Sequence, residues 1–324
     1  MNEIKIFAPA TIANLNCGFD ILGCCIDGIG DEMIFRKSTK KGIRITKITG
    51  ADLSYETSKN VAGVAALALL NSVKKVGDKF VLKNIEIDID IEIDFGIEIE
   101  IHKKIKAGSG IGSSSASAAG AVFGVNELLG KPFSKKELVT FAMKGEAMAS
   151  GSEHADNVAP CLLGNFTLIR GYNPLDIIEI KSPDDLFAVV LHPHIEVKTA
   201  DARAVLSKEI PLKDAITQTG NLGGFIAGLY TNDYYLMGRS LQDVIVEPKR
   251  KHLIPHFDKV KTAALEHGAL GSGISGAGPS IFALCKSEKT AEIVAESMKN
   301  AYENSGISFD IYVSKINPDG CKII

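Results

Sequence analysis

The sequence predicts a two-domain protein that mixes strands and helices in both halves, and three observations point there. At 324 residues the chain exceeds one core of ordinary size, since domains cluster around 100–150 residues. Strand-like and helix-like patterns alternate through both halves. After Pro160 the texture shifts to shorter strand-like runs mixed with helices. The boundary is therefore expected near Leu163 to Tyr172, dividing the chain into 1–165 and 166–324. No internal repeat or low-complexity linker interrupts either part.

Taken in order, Ile4-Lys5-Ile6-Phe7 reads as a short strand that stops at Pro9. Val61 to Val73 is apolar and alanine-rich with Asn60 just before it, which suggests a buried helix and its N-cap. From Ile85 to Ile101, isoleucine alternates with acid almost without a break, the period of a strand with one buried face. A strand that long would be unusual, because about five or six residues is typical. A turn or bulge is expected near Asp94-Phe95-Gly96, with Gly96 taking positive φ. The acidic face of this strand is expected to be solvated rather than a cation site. Asn126 to Pro132 closes one helix with Gly130 and Pro132. Ser134, with Glu137 three residues on, opens another that runs to about Ala149. Phe166 to Arg170 and Leu186 to His192 read as strands.

Composition narrows the class of function. Hydrophobic residues make up 45% and charged residues 23% of the chain, with a net charge of −3 and no Lys/Arg block. That leaves a nucleic-acid partner without electrostatic support. The start, Met1 to Lys5, lacks a basic segment followed by an apolar core, so no secretory signal is expected. Val61 to Leu70 is too short and alanine-rich to span a bilayer, so no membrane association is expected. The six cysteines, Cys17, Cys24, Cys25, Cys161, Cys285 and Cys321, form no C-x-x-C pair. A reduced, cytoplasmic setting suits them, with most acting as small apolar side chains.

The most informative segment runs Lys106-Ala107-Gly108-Ser109-Gly110-Ile111-Gly112-Ser113-Ser114 and continues through small residues to Gly120. Glycine lets backbone approach an anion without a Cβ in the way. The helix that follows would point unpaired N–H groups and its positive dipole end at the same place. Serine hydroxyls in the first turn can add donors or ligate a metal riding on phosphates. The loop is neither a Walker A motif nor a dinucleotide fingerprint, whose spacings differ. By itself it could also be a Gly/Ser turn before a helix packed closely on a sheet.

Three motifs in order resolve that choice by resemblance. Pro9-Ala10-Thr11-Ile12-Ala13-Asn14-Leu15-Asn16-Cys17-Gly18-Phe19-Asp20 resembles the first motif of homoserine kinases. The glycine-serine loop resembles the ATP-phosphate motif of the galactokinase, homoserine, mevalonate and phosphomevalonate (GHMP) kinase superfamily. Gly271 to Ser280 resembles that superfamily's third motif. Gly145-Glu146, Glu153 to Pro160, Thr199 to Arg203 and Val246 to Arg250 are similar to further homoserine kinase segments. The departures touch loop geometry only: Lys106 in place of a common Pro, Ile111 in place of Leu or Met, and Asn16-Cys17 in place of Gly-Pro.

The resemblance implies the α+β class, with an N-terminal domain like ribosomal protein S5 domain 2, a ferredoxin-like C-terminal domain, and ATP in the cleft between them. It implies ATP- and Mg²⁺-dependent phosphorylation of the side-chain hydroxyl of L-homoserine, in threonine biosynthesis, by direct in-line transfer. Ser114 and Glu146 would hold the Mg²⁺ and, with Asn157, act in catalysis. The segment from Lys106 to Ser114 would bind ATP, with Asn60 and Lys103 as further candidates that an N-cap and a surface lysine explain equally well. Asn14, Asp20, His154, Arg203 and Arg250 would bind the acceptor. Arginine suits its carboxylate because the planar fork gives two parallel charge-assisted bonds. Asp156 is assigned positioning rather than full general-base work. A homodimer is expected, since homodimers occur in the family. Two rivals are carried: another kinase of the superfamily acting on mevalonate or a sugar, and a non-catalytic nucleotide-binding module.

Overall fold

The computed structural model describes residues 2–76, 79–82 and 95–324. The first part of the chain runs β1 (Glu3–Ala13), β2 (Leu22–Ser38), β3 (Gly42–Thr49), α1 (Val61–Asn71), β4 (Val73–Val76), β5 (Lys79–Leu82), β6 (Gly96–His102), α2 (Ser113–Leu128), α3 (Lys135–Ser150) and α4 (Val158–Leu163). Period-two burial appears wherever one face of a strand meets the core: Ile4, Ile6 and Ala8 in β1, and Ile97, Ile99 and Ile101 in β6. These strands join a seven-stranded sheet in the order β13-β1-β2-β6-β3, where β13 is Lys322–Ile323, and β3 and β6 pair in parallel. Helix α2 crosses this sheet at close range. A Cβ on its Gly120 would meet Met33 Sδ at 2.6 Å, and one on Gly124 would meet the Phe35 ring at 2.2 Å. The small residues after the glycine loop therefore serve packing, and they set the depth at which the helix start lies.

Local signals read from sequence are borne out. The Asn60 side chain caps α1 by accepting from the Ala62 N–H. Ser134 and Glu137 form the reciprocal capping box of α3. Gly130 takes φ 83° just beyond α2.

Other expectations change. β1 does not stop at Pro9 but continues to Ala13, with a register shift between Pro9 and Thr11. Such irregularities tolerate a residue without an N–H. Gly96 opens β6 without positive φ. Its reason is close approach, because a Cβ there would lie 1.7 Å from the Lys40 carbonyl oxygen. The Ile/acid run from Ile85 to Asp94 lies outside the described residues.

The chain continues with β7 (Phe166–Tyr172), β8 (Leu175–Ile180), β9 (Leu186–Pro193), α5 (Thr199–Ala204), α6 (Leu212–Thr231), α7 (Tyr234–Ser240), α8 (Glu247–Arg250), α9 (Phe257–Glu266), β10 (Gly271–Ile274), β11 (Ile281–Lys286), α10 (Glu288–Glu303), β12 (Phe309–Lys315) and β13 (Lys322–Ile323). The hairpin β7–β8 pairs with β2 and belongs to the first sheet. It lies beyond the division expected at residue 165. The second sheet starts at β9 and has the order β10-β11-β9-β12, antiparallel throughout. With helices between β9 and β10 and α10 between β11 and β12, this is a ferredoxin-like βαββαβ arrangement. Phe187, Val189 and Leu191 on one face of β9 share a core with Val260, Val294 and Met298 of α9 and α10. Ala188 and Val190 on the other face join the first domain's core together with Phe225 and Met237. The two domains thus share a core beneath the loops that form the site.

Candidate active site

Three segments distant in sequence hold one another at the interdomain cleft. The loop after β6 places Gly108, Gly110 and Gly112 at φ 69°, 79° and 74°. A Cβ at Gly110 would sit 2.6 Å from the Gly278 carbonyl oxygen and 2.7 Å from that of Ser275. From the 271–280 segment, Ser275 Oγ donates to the Gly110 carbonyl at 2.7 Å and Ser280 Oγ to the Ser109 carbonyl at 2.6 Å. From the first motif, the Thr11 N–H donates to the Ile111 carbonyl at 3.2 Å, and Asn14 Nδ2 to the Gly276 carbonyl at 2.7 Å. Helix α2 then starts without a side-chain cap. Its first N–H groups are thus left for a ligand or for water. Ser109 Oγ is buried without a partner among the described residues.

A cavity of about 550 Å³ opens in front of this loop. Ser109, Ser113, Ser114, Glu146, Asn157 and Thr199 are among its lining residues. Ser114 Oγ donates to Glu146 Oε1 at 3.1 Å and Ser115 Oγ to Oε2 at 2.9 Å. Burial pushes the Glu146 carboxyl above the usual carboxylate range, while the two hydroxyls and the charge of Lys103 pull the other way. Lys103 is itself committed: its buried ammonium pairs with Asp31 and donates to the Ser113 carbonyl at 2.7 Å and Ser117 Oγ at 3.0 Å.

Beside the cavity lies a second cluster. Arg203 reaches both carboxylate oxygens of Asp20, at 2.8 and 3.0 Å, and also His154 Nε2 at 2.9 Å. Its Nε is buried without a partner among the described residues, so the guanidinium keeps a donor in reserve. Arg250 is buried and donates to the carbonyls of Ala202 at 2.8 Å and Gly276 at 3.3 Å. Burial, then the charge of Arg203, lowers its pKa to about 10. Both guanidinium groups lie over the Phe19 ring, at 5.6 and 4.9 Å from its centroid. Burial, opposed by Asp20, lowers the His154 pKa. Asp156 lies near both clusters: burial, then the charges of Asp20 and Glu146, raises its carboxyl to about 7.

Most residues singled out in the sequence are brought together here. Ala107, Gly108, Gly110, Gly112, Asn60 and Lys103 also line the cavity. Ile111 is buried, and Lys106 turns away: its ammonium meets His194 Nε2 at 2.7 Å and Asp310 Oδ2 at 3.0 Å on the second domain. Lys106 therefore does not reach the cavity as expected, because the second sheet offers it a carboxylate. Sequence reasoning assigned no role to Thr11, which donates to Asn157 Oδ1 at 2.7 Å, nor to Ser275, Ser280 and Phe19. All four sit inside recognised motifs, which was the available signal. Asp31, the partner of Lys103, carried none.

The family models described as GHMP kinases N terminal domain and GHMP kinases C terminal match residues 69–165 and 225–304. The chain is 48% identical to the homoserine kinase of Chlorobium phaeobacteroides over the whole of both chains. It is 45% identical to that of Chlorobaculum tepidum, covering all of this chain and 99% of the relative. The crystal structure of homoserine kinase from Cytophaga hutchinsonii superimposes with a TM-score of 0.91 at 48% identity, covering 100% of this chain and 98% of that one.

Proposed function

We propose, because the chain belongs to the homoserine kinase family of the GHMP kinases, that it transfers the γ-phosphoryl group of ATP to the side-chain hydroxyl of L-homoserine. The products are O-phospho-L-homoserine and ADP, and the reaction we infer belongs to threonine biosynthesis. The observation that carries the acceptor is the Asp20–Arg203 pair, with a buried Nε to spare. A carboxylate beside a guanidinium offers opposite charges to the ammonium and carboxylate of one amino acid. A sugar would use neither charge, and mevalonate would leave Asp20 without an ammonium.

Phosphoryl transfer asks a protein mainly for positioning and electrostatics. In this reading the N–H groups of the glycine loop and of the α2 start cradle the phosphates. Ser109 Oγ, buried and without a partner among the described residues, supports that role. Ser114 and Glu146 supply hard oxygens of the kind Mg²⁺ prefers, and a cation would relieve the burial of the Glu146 carboxyl. When bound, the ion neutralises charge on the transferred group. Asn157, held by Thr11, lines the cavity and orients the acceptor hydroxyl. Asp156 does not line it and acts by position.

No helix among the described residues is long and apolar enough to cross a membrane. A cytoplasmic location and a homodimer complete the proposal, the latter open to analytical ultracentrifugation. Product analysis tests the reaction: phosphorus NMR should show a phosphomonoester on the homoserine side chain. A spectrum showing ADP and free phosphate alone would reject acceptor transfer.

A further inference from the structure

Away from the cavity, a cluster of nitrogen and oxygen ligands remains that the kinase reading does not use. His192 and His194 lie two residues apart, His192 near the end of β9 and His194 just past it. Across the strand pair, Asp310 of β12 stands in register with His192. One ligand atom from each residue falls within 4.8 Å of the others. Asp310 Oδ2 lies 3.8 Å from His192 Nδ1 and 2.8 Å from His194 Nε2. Metal–ligand bonds of about 2.0–2.2 Å let two ligand atoms stand at most about 4.4 Å apart. Ligand atoms around a tetrahedral ion stand about 3.3 Å apart, so Asp310 Oδ2 must open from His194 Nε2 and close on His192 Nδ1 by about half an ångström each, and the two imidazoles must draw together by up to about 1.5 Å. Ser308 Oγ sits 2.9 Å from His194 Nδ1. A hydrogen bond there leaves Nε2 as the ligand, the outer-shell arrangement common among metal-bound histidines. His192 is buried, so its orientation is fixed by packing.

A cation already occupies this position. The Lys106 ammonium contacts the same two atoms, His194 Nε2 and Asp310 Oδ2. Lys106 is also the first residue of the glycine loop.

We propose that His192, His194 and Asp310 form a binding site for a divalent transition-metal ion of the zinc class, which takes the place of the Lys106 ammonium. Two imidazoles and one carboxylate suit such ions, whereas Mg²⁺ prefers an all-oxygen set. The proposal stands apart from the kinase reading, since none of the three residues lines the cavity.

The test titrates the full chain with Co²⁺, then Zn²⁺, under excess Mg²⁺ and without nucleotide. Visible absorption and calorimetry are the readouts. One Co²⁺ per chain is expected, with the spectrum of a low-coordinate nitrogen and oxygen site, displaced by Zn²⁺. His194→Gln and Asp310→Asn should each weaken binding about tenfold or more. Lys106→Ala should tighten it about tenfold, since the competing charged hydrogen bonds are gone. Intense thiolate bands, undiminished binding in His194→Gln, or no stoichiometric binding would each overturn the site. Unchanged affinity in Lys106→Ala would overturn the competition.

Discussion

Ser275 donates its hydroxyl hydrogen to the carbonyl of Gly110 across 2.7 Å and across the domain boundary. The glycine loop of the first domain is therefore shaped in part by a turn of the second. Loop geometry at the site depends on how the two domains close on their shared core.

Backbone stands against a side chain at Gly110 on two counts. At φ 79°, with two carbonyl oxygens within 2.7 Å of where a Cβ would lie, Gly110→Ala must move the backbone. A cost of about 1–3 kcal/mol in stability is expected, with a larger proportional loss of kcat/KM. Thermal melting alongside steady-state kinetics checks both. Wild-type KM for ATP in this variant would contradict the assigned role of the loop.

Glu146→Gln keeps the shape and removes the charge. The fold should persist, because one of the two hydroxyls of Ser114 and Ser115 can still donate to the amide oxygen while the other turns to accept from the amide NH2. kcat/KM should fall on the order of 100-fold, and the Mg²⁺ concentration for half-maximal rate should rise. Circular dichroism and a Mg²⁺ titration of the rate separate the two effects.

Arg203→Lys retains positive charge and loses the planar fork. KM for the amino-acid acceptor should rise about 10–100-fold while KM for ATP changes little. A rise confined to ATP would move Arg203 from the acceptor to the nucleotide.

Asp156 links stability to pH. Its folded-state pKa, raised to about 7, exceeds the ordinary value of about 3.9, so the native state binds the extra proton. The contribution is fully present below about pH 4 and is lost as pH rises toward 7. The melting temperature of the wild type should fall across that window relative to Asp156→Asn. The same variant should lose activity yet keep the acidic limb of its pH–rate profile, as befits a positioning group. Disappearance of that limb would make Asp156 a base.

Much of this was legible in the sequence wherever the cause is local. The Ser134–Glu137 capping box spans four residues, and the Asn60 cap is set by its immediate neighbours. The alternate glycines marked the loop where backbone can approach a ligand, although their left-handed φ values came only with the structure. What escaped depends on distant partners. Lys106 meets residues 88 and 204 positions away, and Lys103 is claimed by Asp31, 72 positions away. Gly96 was chosen by the carbonyl of Lys40 rather than by its own φ, and periodicity has no access to such an approach. The β7–β8 hairpin reads as a pair of ordinary strands, and only its pairing with β2 assigns it to the first sheet.

The most direct test of the kinase reading is a coupled ADP-release assay with Mg-ATP against L-homoserine, L-threonine, L-serine, mevalonate and galactose. The account predicts turnover with homoserine far above every other acceptor. Turnover with mevalonate or galactose instead would contradict it and overturn the roles given to Asp20, Arg203 and Arg250.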